Sequence, residues 1–287
     1  MMERMLVPLD LYGAAPKMAS AVEELARLGV DEADLLYVVN IRDTGGMQAL
    51  KKEDEAQLGT WQERLEGCGV AVVRTEVVNG IPWIEILERI EARHPSLVVM
   101  GSHGRTLLSR MLLGSTTENV VHHSTVAVFI LRLKILEEGD PTTCTLATDR
   151  LFRRILFATD FSGDAERCIP YLEWMAGAAP DELVIAHVQD TRHLGYISPE
   201  QMEEFNRRDS ARLRELKEHF LARGYPSVIT ELTGGNAISE ILGIARNMEV
   251  STIVMGAKGR HGVAETILGG VTETVIHRAP CHVLVVR

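Results

Sequence analysis

Three glycines, set at fixed spacing before a helix-forming run, occur twice in this 287-residue chain. Gly101, Gly104 and Gly114 precede Ser115 and Thr116; Gly256, Gly259 and Gly269 precede Gly270, Val271 and Thr272. At the offset Gly256 − Gly101 = 155, residues 98–132 and 253–287 agree at 13 of 35 positions, among them Arg105/Arg260, Glu118/Glu273 and His122/His277. Each copy reads as an apolar run ending on glycine, a turn with a second glycine, nine further residues, and a third glycine opening an apolar-periodic segment. That is strand, loop, helix. Glycine lets a loop take positive φ or bring bare backbone against another group. A helix start adds unpaired N–H groups and the positive end of the helix dipole. Together they form a candidate phosphate cradle. It is neither the lysine-bearing phosphate loop nor the G-x-G-x-x-G dinucleotide fingerprint, since neither pattern occurs.

Around the cradle stand groups suited to the rest of a nucleotide. Asp10 and Asp160 each close a short apolar run, Met5–Leu9 and Ile155–Thr159, where a carboxylate could accept from ribose hydroxyls. His103 and Lys258 place a cation inside each loop. Arg105 and Arg260 follow the second glycine and are either phosphate clamps or solvated side chains. Ser115 also has two readings: S115-T-T-E118 has the form of a capping box, and the same hydroxyl could donate to a phosphate oxygen. The second copy has Gly270 there, with Thr272 keeping a hydroxyl nearby. His122 and His277 lie late in the fourth helices, where capping or packing is expected, and no further metal ligands converge on them. No catalytic nucleophile with its base, and no acid/base carboxylate pair, is visible.

The elements that position these groups also come twice. Five apolar strands per half alternate with amphipathic helices, which implies right-handed crossovers and a parallel sheet covered on both faces. The expected class is α/β: two tandem open, mostly parallel five-stranded sheets with helices on both faces, Rossmann-like. Residues 1–133 form the first domain, 134–152 a linker, and 153–287 the second domain, whose phosphate motif is altered. In such sheets the ligand crevice lies beyond the C-terminal strand ends at the point where strand order reverses, which would gather Asp10, the Gly101–Gly104 loop and the Ser115 helix start. Local patterns make further expectations. Pro8 should fall where strand pairing ends, Pro170 should kink or delay a helix, and Ser198-Pro199-Glu200-Gln201 should cap a helix running to about Ala222. The aspartates are separated by 150 positions rather than 155, so five residues are inserted in the second half, near 192–201 beside the expected ligand mouth.

Forty acidic against 30 basic residues give a formal charge of −10, which argues against a nucleic-acid partner. Cys68, Cys144, Cys168 and Cys281 form no C-x-x-C and do not recur between halves, as expected of thiols in a reducing compartment. The chain opens on its first strand and contains no apolar run of membrane-span length, so a cytoplasmic location is expected.

At this point the sequence resembles a tandem universal stress protein of the ATP-binding branch. The pattern of that branch is G-x2-G-x9-G-[S/T]: Gly101, Gly104, Gly114 and Ser115 match all four positions, and Gly256, Gly259 and Gly269 match three, with Gly270 departing from the fourth. The resemblance makes Asp10 and Asp160 adenosine-contacting acids and puts Val39 and Val188 where a second-strand residue meets adenine. It implies strand order 3-2-1-4-5, ATP or another adenine nucleotide as ligand with Mg2+ carried through the phosphates, and regulation of an unknown protein partner in stress adaptation. Fifth-strand contacts would give an intrachain pseudo-dimer, with a homodimer as the other way to cover the apolar edges at 126–131 and 282–286. Hydrolysis in that family is weak or absent; the alternatives are a scaffold with vestigial pockets and a slow ATPase.

Overall fold

The computed structural model describes residues 2–11, 15–41, 52–102, 113–135, 144–190, 198–259 and 268–287. Apolar, β-branched runs form the inner strands, which are buried along most of their length, whereas the third strand of each half is only half-buried. In the first half these are β1 (Arg4–Leu9), β2 (Glu32–Asn40), β3 (Val72–Gly80), β4 (Leu97–Gly101) and β5 (Ala127–Leu131). They pair in the order β3-β2-β1-β4-β5, and all these pairings are parallel. A short antiparallel ladder follows, β6 (Leu133–Ile135) against β7 (Cys144–Leu146). The second half repeats the arrangement with β8 (Arg154–Ala158), β9 (Glu182–Gln189), β10 (Val228–Gly234), β11 (Thr252–Gly256) and β12 (His282–Val286), ordered β10-β9-β8-β11-β12. The 3-2-1-4-5 order thus holds in both.

The chain divides into two compact units, Met1–Asp149 and Arg150–Arg287. The β6-β7 ladder, in the segment expected to be linker, belongs to the first. At the start of the second, Leu151 and Phe152 are buried and the Leu151 carbonyl accepts from Ser251 Oγ at 2.8 Å and Thr252 Oγ1 at 2.6 Å. Both hydroxyls are fully buried and need partners: Thr252 finds one in Leu151, and Ser251 has the Arg154 carbonyl at 2.9 Å as well.

The prolines act locally as their chemistry requires. Pro8 has no N–H, and the β1–β4 register covers only Met5↔Leu97 and Leu6↔Val98. In the second unit, where Ala158 stands at the matching place, the ladder runs from Ile155 to Ala158. Pro170 splits what would be one helix into Gly163–Glu166 and Ile169–Met175 and sits in the first turn of the latter. The helix Pro199–Ala222 has the full reciprocal cap: Gln201 N donates to Ser198 Oγ at 3.3 Å, and Ser198 N to Gln201 Oε1 at 3.0 Å. The third strands begin two residues later than the apolar runs suggest, since Val70 and Pro226 lie in the turns that lead into them.

Candidate functional site

Topology places the site where β1 and β4, or β8 and β11, stand side by side while their connections leave in opposite directions. The geometry is most complete in the second unit. A cavity of about 500 Å3 opens there at the C-terminal strand ends, within the size range of small-molecule sites. It brings together Asp160, Val188, Gly256, Lys258, Gly259 and the helix-opening Gly269, Gly270, Val271 and Thr272. Arg260 lies outside the described residues.

Close approach of backbone explains the glycines. A Cβ on Gly259 would stand 2.8 Å from Asp160 Oδ2, so the loop lies directly on that carboxylate. A Cβ on Gly256 would stand 2.8 Å from the Asp164 carbonyl carbon, where the first turn of the Gly163–Glu166 helix crosses the strand end. A Cβ on Gly269 would stand at ordinary contact distance, 3.5 Å from Ala257 O, whereas one on Gly270 would meet nothing within 4 Å. Glycine is therefore unnecessary for packing at position 270, where it only removes a functional group.

Both helix starts are built alike. Gly114 and Gly269 are the N-caps, with φ/ψ of −63/139° and −70/142°, and neither helix has a side-chain cap. The capping-box reading of Ser115 is therefore corrected: it occupies the first helical position, exposed, and its hydroxyl makes no hydrogen bond to a described residue. Thr116 follows it. One turn in, Thr117 Oγ1 donates to the Gly101 carbonyl at 2.8 Å and Thr272 Oγ1 to the Gly256 carbonyl at 2.9 Å. These buried threonines tie helix to strand end. Thr272 is thereby committed as a donor, so the hydroxyl that the sequence keeps near Gly270 is held by the strand end. Gly114 N bonds Ser102 O at 2.8 Å, and Gly269 N bonds Ala257 O at 2.9 Å, closing each loop at its neck.

In the first unit Asp10 directly follows β1, Gly101 ends β4 and Val39 is buried in β2. His103, Gly104 and Arg105 lie outside the described residues. The strand register also revises one equivalence. Arg4 pairs with Glu32 and Arg154 with Glu182, so the second strands align at 150 and Val188 answers Val38, whereas Val39 answers Gln189.

Sequence reasoning missed a second group of cavity residues. Asp209, 2% exposed on the Pro199–Ala222 helix, accepts from Gln189 Nε2 at 3.0 Å and Arg208 Nε at 3.3 Å and faces His187 Nε2 at 3.5 Å. Burial alone would raise its pKa, but the Gln189 hydrogen bond and the neighbouring His187 and Arg208 more than offset this and hold the carboxyl below its ordinary value. The other His187 nitrogen, Nδ1, faces the Thr159 carbonyl at 2.8 Å, and the ring packs 4.6 Å from that of Phe161. Phe161 has φ +57°, uncommon for an aromatic residue. Two hydrogen bonds fix that turn, Phe161 N to Thr159 Oγ1 and Ser162 N to Asp160 Oδ1, each 3.0 Å. Arg212 covers the outer face of the ring at 4.4 Å. The turn holds Asp160 in place. A signal for Asp209 did exist: an acid leads the apolar series Leu213, Leu216, Phe220, and Asp54 leads Leu58, Trp61, Leu65 at the same 155 offset, itself buried.

The family model for the universal stress protein family matches residues 1–132 and again 151–287. The chain belongs to this family. A universal stress protein of Archaeoglobus fulgidus, solved by crystallography, superposes with a TM-score of 0.68 at 26% identity, covering 100% of this chain and 99% of that one. Among relatives by sequence, a universal stress protein of Methanocaldococcus jannaschii is 29% identical over 140 residues, 45% of this chain and 82% of its own length. One from Thermus aquaticus is 30% identical over 138 residues, 48% of this chain and all of its own. Those two relatives match about one half of this chain, as expected where the universal stress unit is present twice.

Proposed function

We propose that this universal stress protein binds an adenine nucleotide in each domain and acts as a regulator in the stress response rather than as an enzyme. The observation that carries the reading is the second-unit cavity, which joins a strand-end carboxylate, a glycine loop lying on it and a helix start with no side-chain cap. Asp160, and Asp10 in the first domain, accept from ribose hydroxyls; the loop and helix N–H groups hold phosphate; Lys258 adds a mobile positive charge. Any Mg2+ enters with the phosphates. A cytoplasmic location is part of this proposal; no helix among the described residues is long and apolar enough to cross a membrane, and Cys68, Cys168 and Cys281 are free thiols. We also propose that the fifth strands, Ala127–Leu131 and His282–Val286, are covered by pairing within the chain or between two chains, since open apolar edges invite aggregation.

Calorimetry of the full chain with ATP, ADP, AMP and a cyclic nucleotide, alongside phosphate release followed over hours, tests the reading. Saturable binding with no release supports a binding regulator. Release at a constant slow rate indicates a slow ATPase, and absence of binding by all four indicates a scaffold with vestigial pockets.

A further inference from the structure

Gln189 gives the second cavity a polar side chain that the first domain lacks at the matching strand position. Its register counterpart, Val39, has no polar side-chain atom. A glutamine amide can turn either its oxygen or its nitrogen to a ligand, and its partners decide which. Here the partner is Asp209, nearly fully buried and held ionised by its surroundings, and an ionised carboxylate only accepts. The Gln189 NH2 must therefore face Asp209, as the 3.0 Å contact has it. Flipping the amide would set oxygen against a buried carboxylate with no proton between them. Asp209 is itself fixed, Oδ1 by Arg208 and Oδ2 beside His187. The amide carbonyl is left as a fixed acceptor on a cavity-lining side chain, and no described residue donates to it.

We propose that Gln189, oriented by Asp209, makes the second site selective for nucleotides whose base carries an exocyclic amine donor, and that the first site, with Val39, lacks this selection. The inference rests on the adenine-nucleotide reading of the cavity and adds to it a residue that discriminates between bases. Gln189 is the group that would meet the ligand, and Asp209 is a positioning residue acting through it. A base with the amine satisfies the Gln189 carbonyl. A base without one leaves a partly buried acceptor unpaired, a loss that corresponds to about a tenfold difference in affinity.

The test uses the full chain with ATP and purine riboside triphosphate, which differ only in hydrogen replacing the 6-amino group. Met202 and Met255 line the second cavity, so their 13C-labelled methyl signals, assigned with Met202→Leu and Met255→Leu, report occupancy of this site without silencing the first. The wild type should saturate with ATP at about tenfold lower concentration. In Asp209→Asn the new amide can donate to Gln189 Oε1, the glutamine can turn its NH2 to the cavity, and the ratio should fall to near one. Gln189→Met, which keeps the volume and removes both polar atoms, should also give a ratio near one and covers the case in which Asp209→Asn does not fold. Equal affinities in the wild type would overturn the selectivity while leaving nucleotide binding intact. Retention of the tenfold ratio in folded Asp209→Asn or Gln189→Met would overturn the assignment to this pair. If neither nucleotide moves either methyl, the nucleotide reading of the cavity fails, and the selectivity fails with it.

Discussion

Substituting serine for Gly270 isolates the one chemical difference between the two helix starts. A Cβ at Gly270 meets nothing within 4 Å, so the side chain enters open space at the first helical turn, as Ser115 does in the first domain. The existing hydroxyl one turn on cannot duplicate it, because Thr272 Oγ1 is bound to the Gly256 carbonyl at 2.9 Å. A hydrogen bond to a charged group contributes roughly 1.5–3 kcal/mol. The helix start is open to solvent and water already fills part of this role, so about 1 kcal/mol is the expected net gain, or roughly fivefold in affinity. Serine also costs less than glycine in a helix, by up to about 0.5 kcal/mol, so stability should hold or rise slightly. The assay is a pair of titrations on the Met202 methyl signal, one with ATP and one with adenosine, in wild type and Gly270→Ser. ATP should bind about fivefold tighter and adenosine should be unchanged, since it carries no phosphate for the hydroxyl to reach. An unchanged ATP affinity in a folded variant, or an equal gain for adenosine, would refute the assignment of this position to phosphate. By the same reasoning the wild-type first site, which has Ser115, should bind ATP more tightly than the second; Lys258 opposes this difference without cancelling it.

Two neighbouring glycines should separate fold from binding. Gly256→Ala drives a methyl into Asp164 backbone and should destabilise the second domain by about 1–3 kcal/mol in urea unfolding, whereas Gly259→Ala presses only on the tip of the Asp160 carboxylate, held through its other oxygen by Ser162 N, and should weaken ATP binding with a smaller loss of stability, about 0.5–1 kcal/mol. Asp10→Lys should abolish ATP binding in the first domain while leaving the Met202 titration of the second unaltered; unchanged overall stoichiometry by calorimetry would show that the first pocket is misplaced. Asp209 has a depressed folded-state pKa, so its contribution to stability is present above the unfolded value and lost as the pH falls through the lower folded one. Asp209→Asn should accordingly be less stable than wild type at neutral pH, with the gap closing below about pH 4 in urea unfolding at a series of pH values.

The sequence by itself determined the fold and the frame of the site. The duplicated glycine motif, Asp10 and Asp160 at strand ends, the capped Pro199–Ala222 helix and the split at Pro170 all follow from backbone chemistry that acts within a few residues. Periodicity and punctuation express such local requirements directly. Tertiary structure decided what depends on residues far apart in the chain. Whether Ser115 caps its helix was open in the sequence, because capping depends on the path by which the chain enters the helix; the structure makes Gly114 the cap and leaves the hydroxyl without a partner among the described residues. Thr272 looked like a substitute donor until the Gly256 carbonyl, 16 positions away, was seen to hold it. Val39 and Val188 looked equivalent until strand register paired Val39 with Gln189. The grouping of Gln189, His187 and Asp209 was out of reach for the same reason. Side chains on a strand and on the following helix, 20 residues apart in the case of Gln189 and Asp209, meet only once the helix has packed back on the sheet. The place of Asp209 ahead of its apolar series, shared with Asp54, marks the acid in the sequence, but only its burial and its partners fix which atom the neighbouring amide turns toward the cavity.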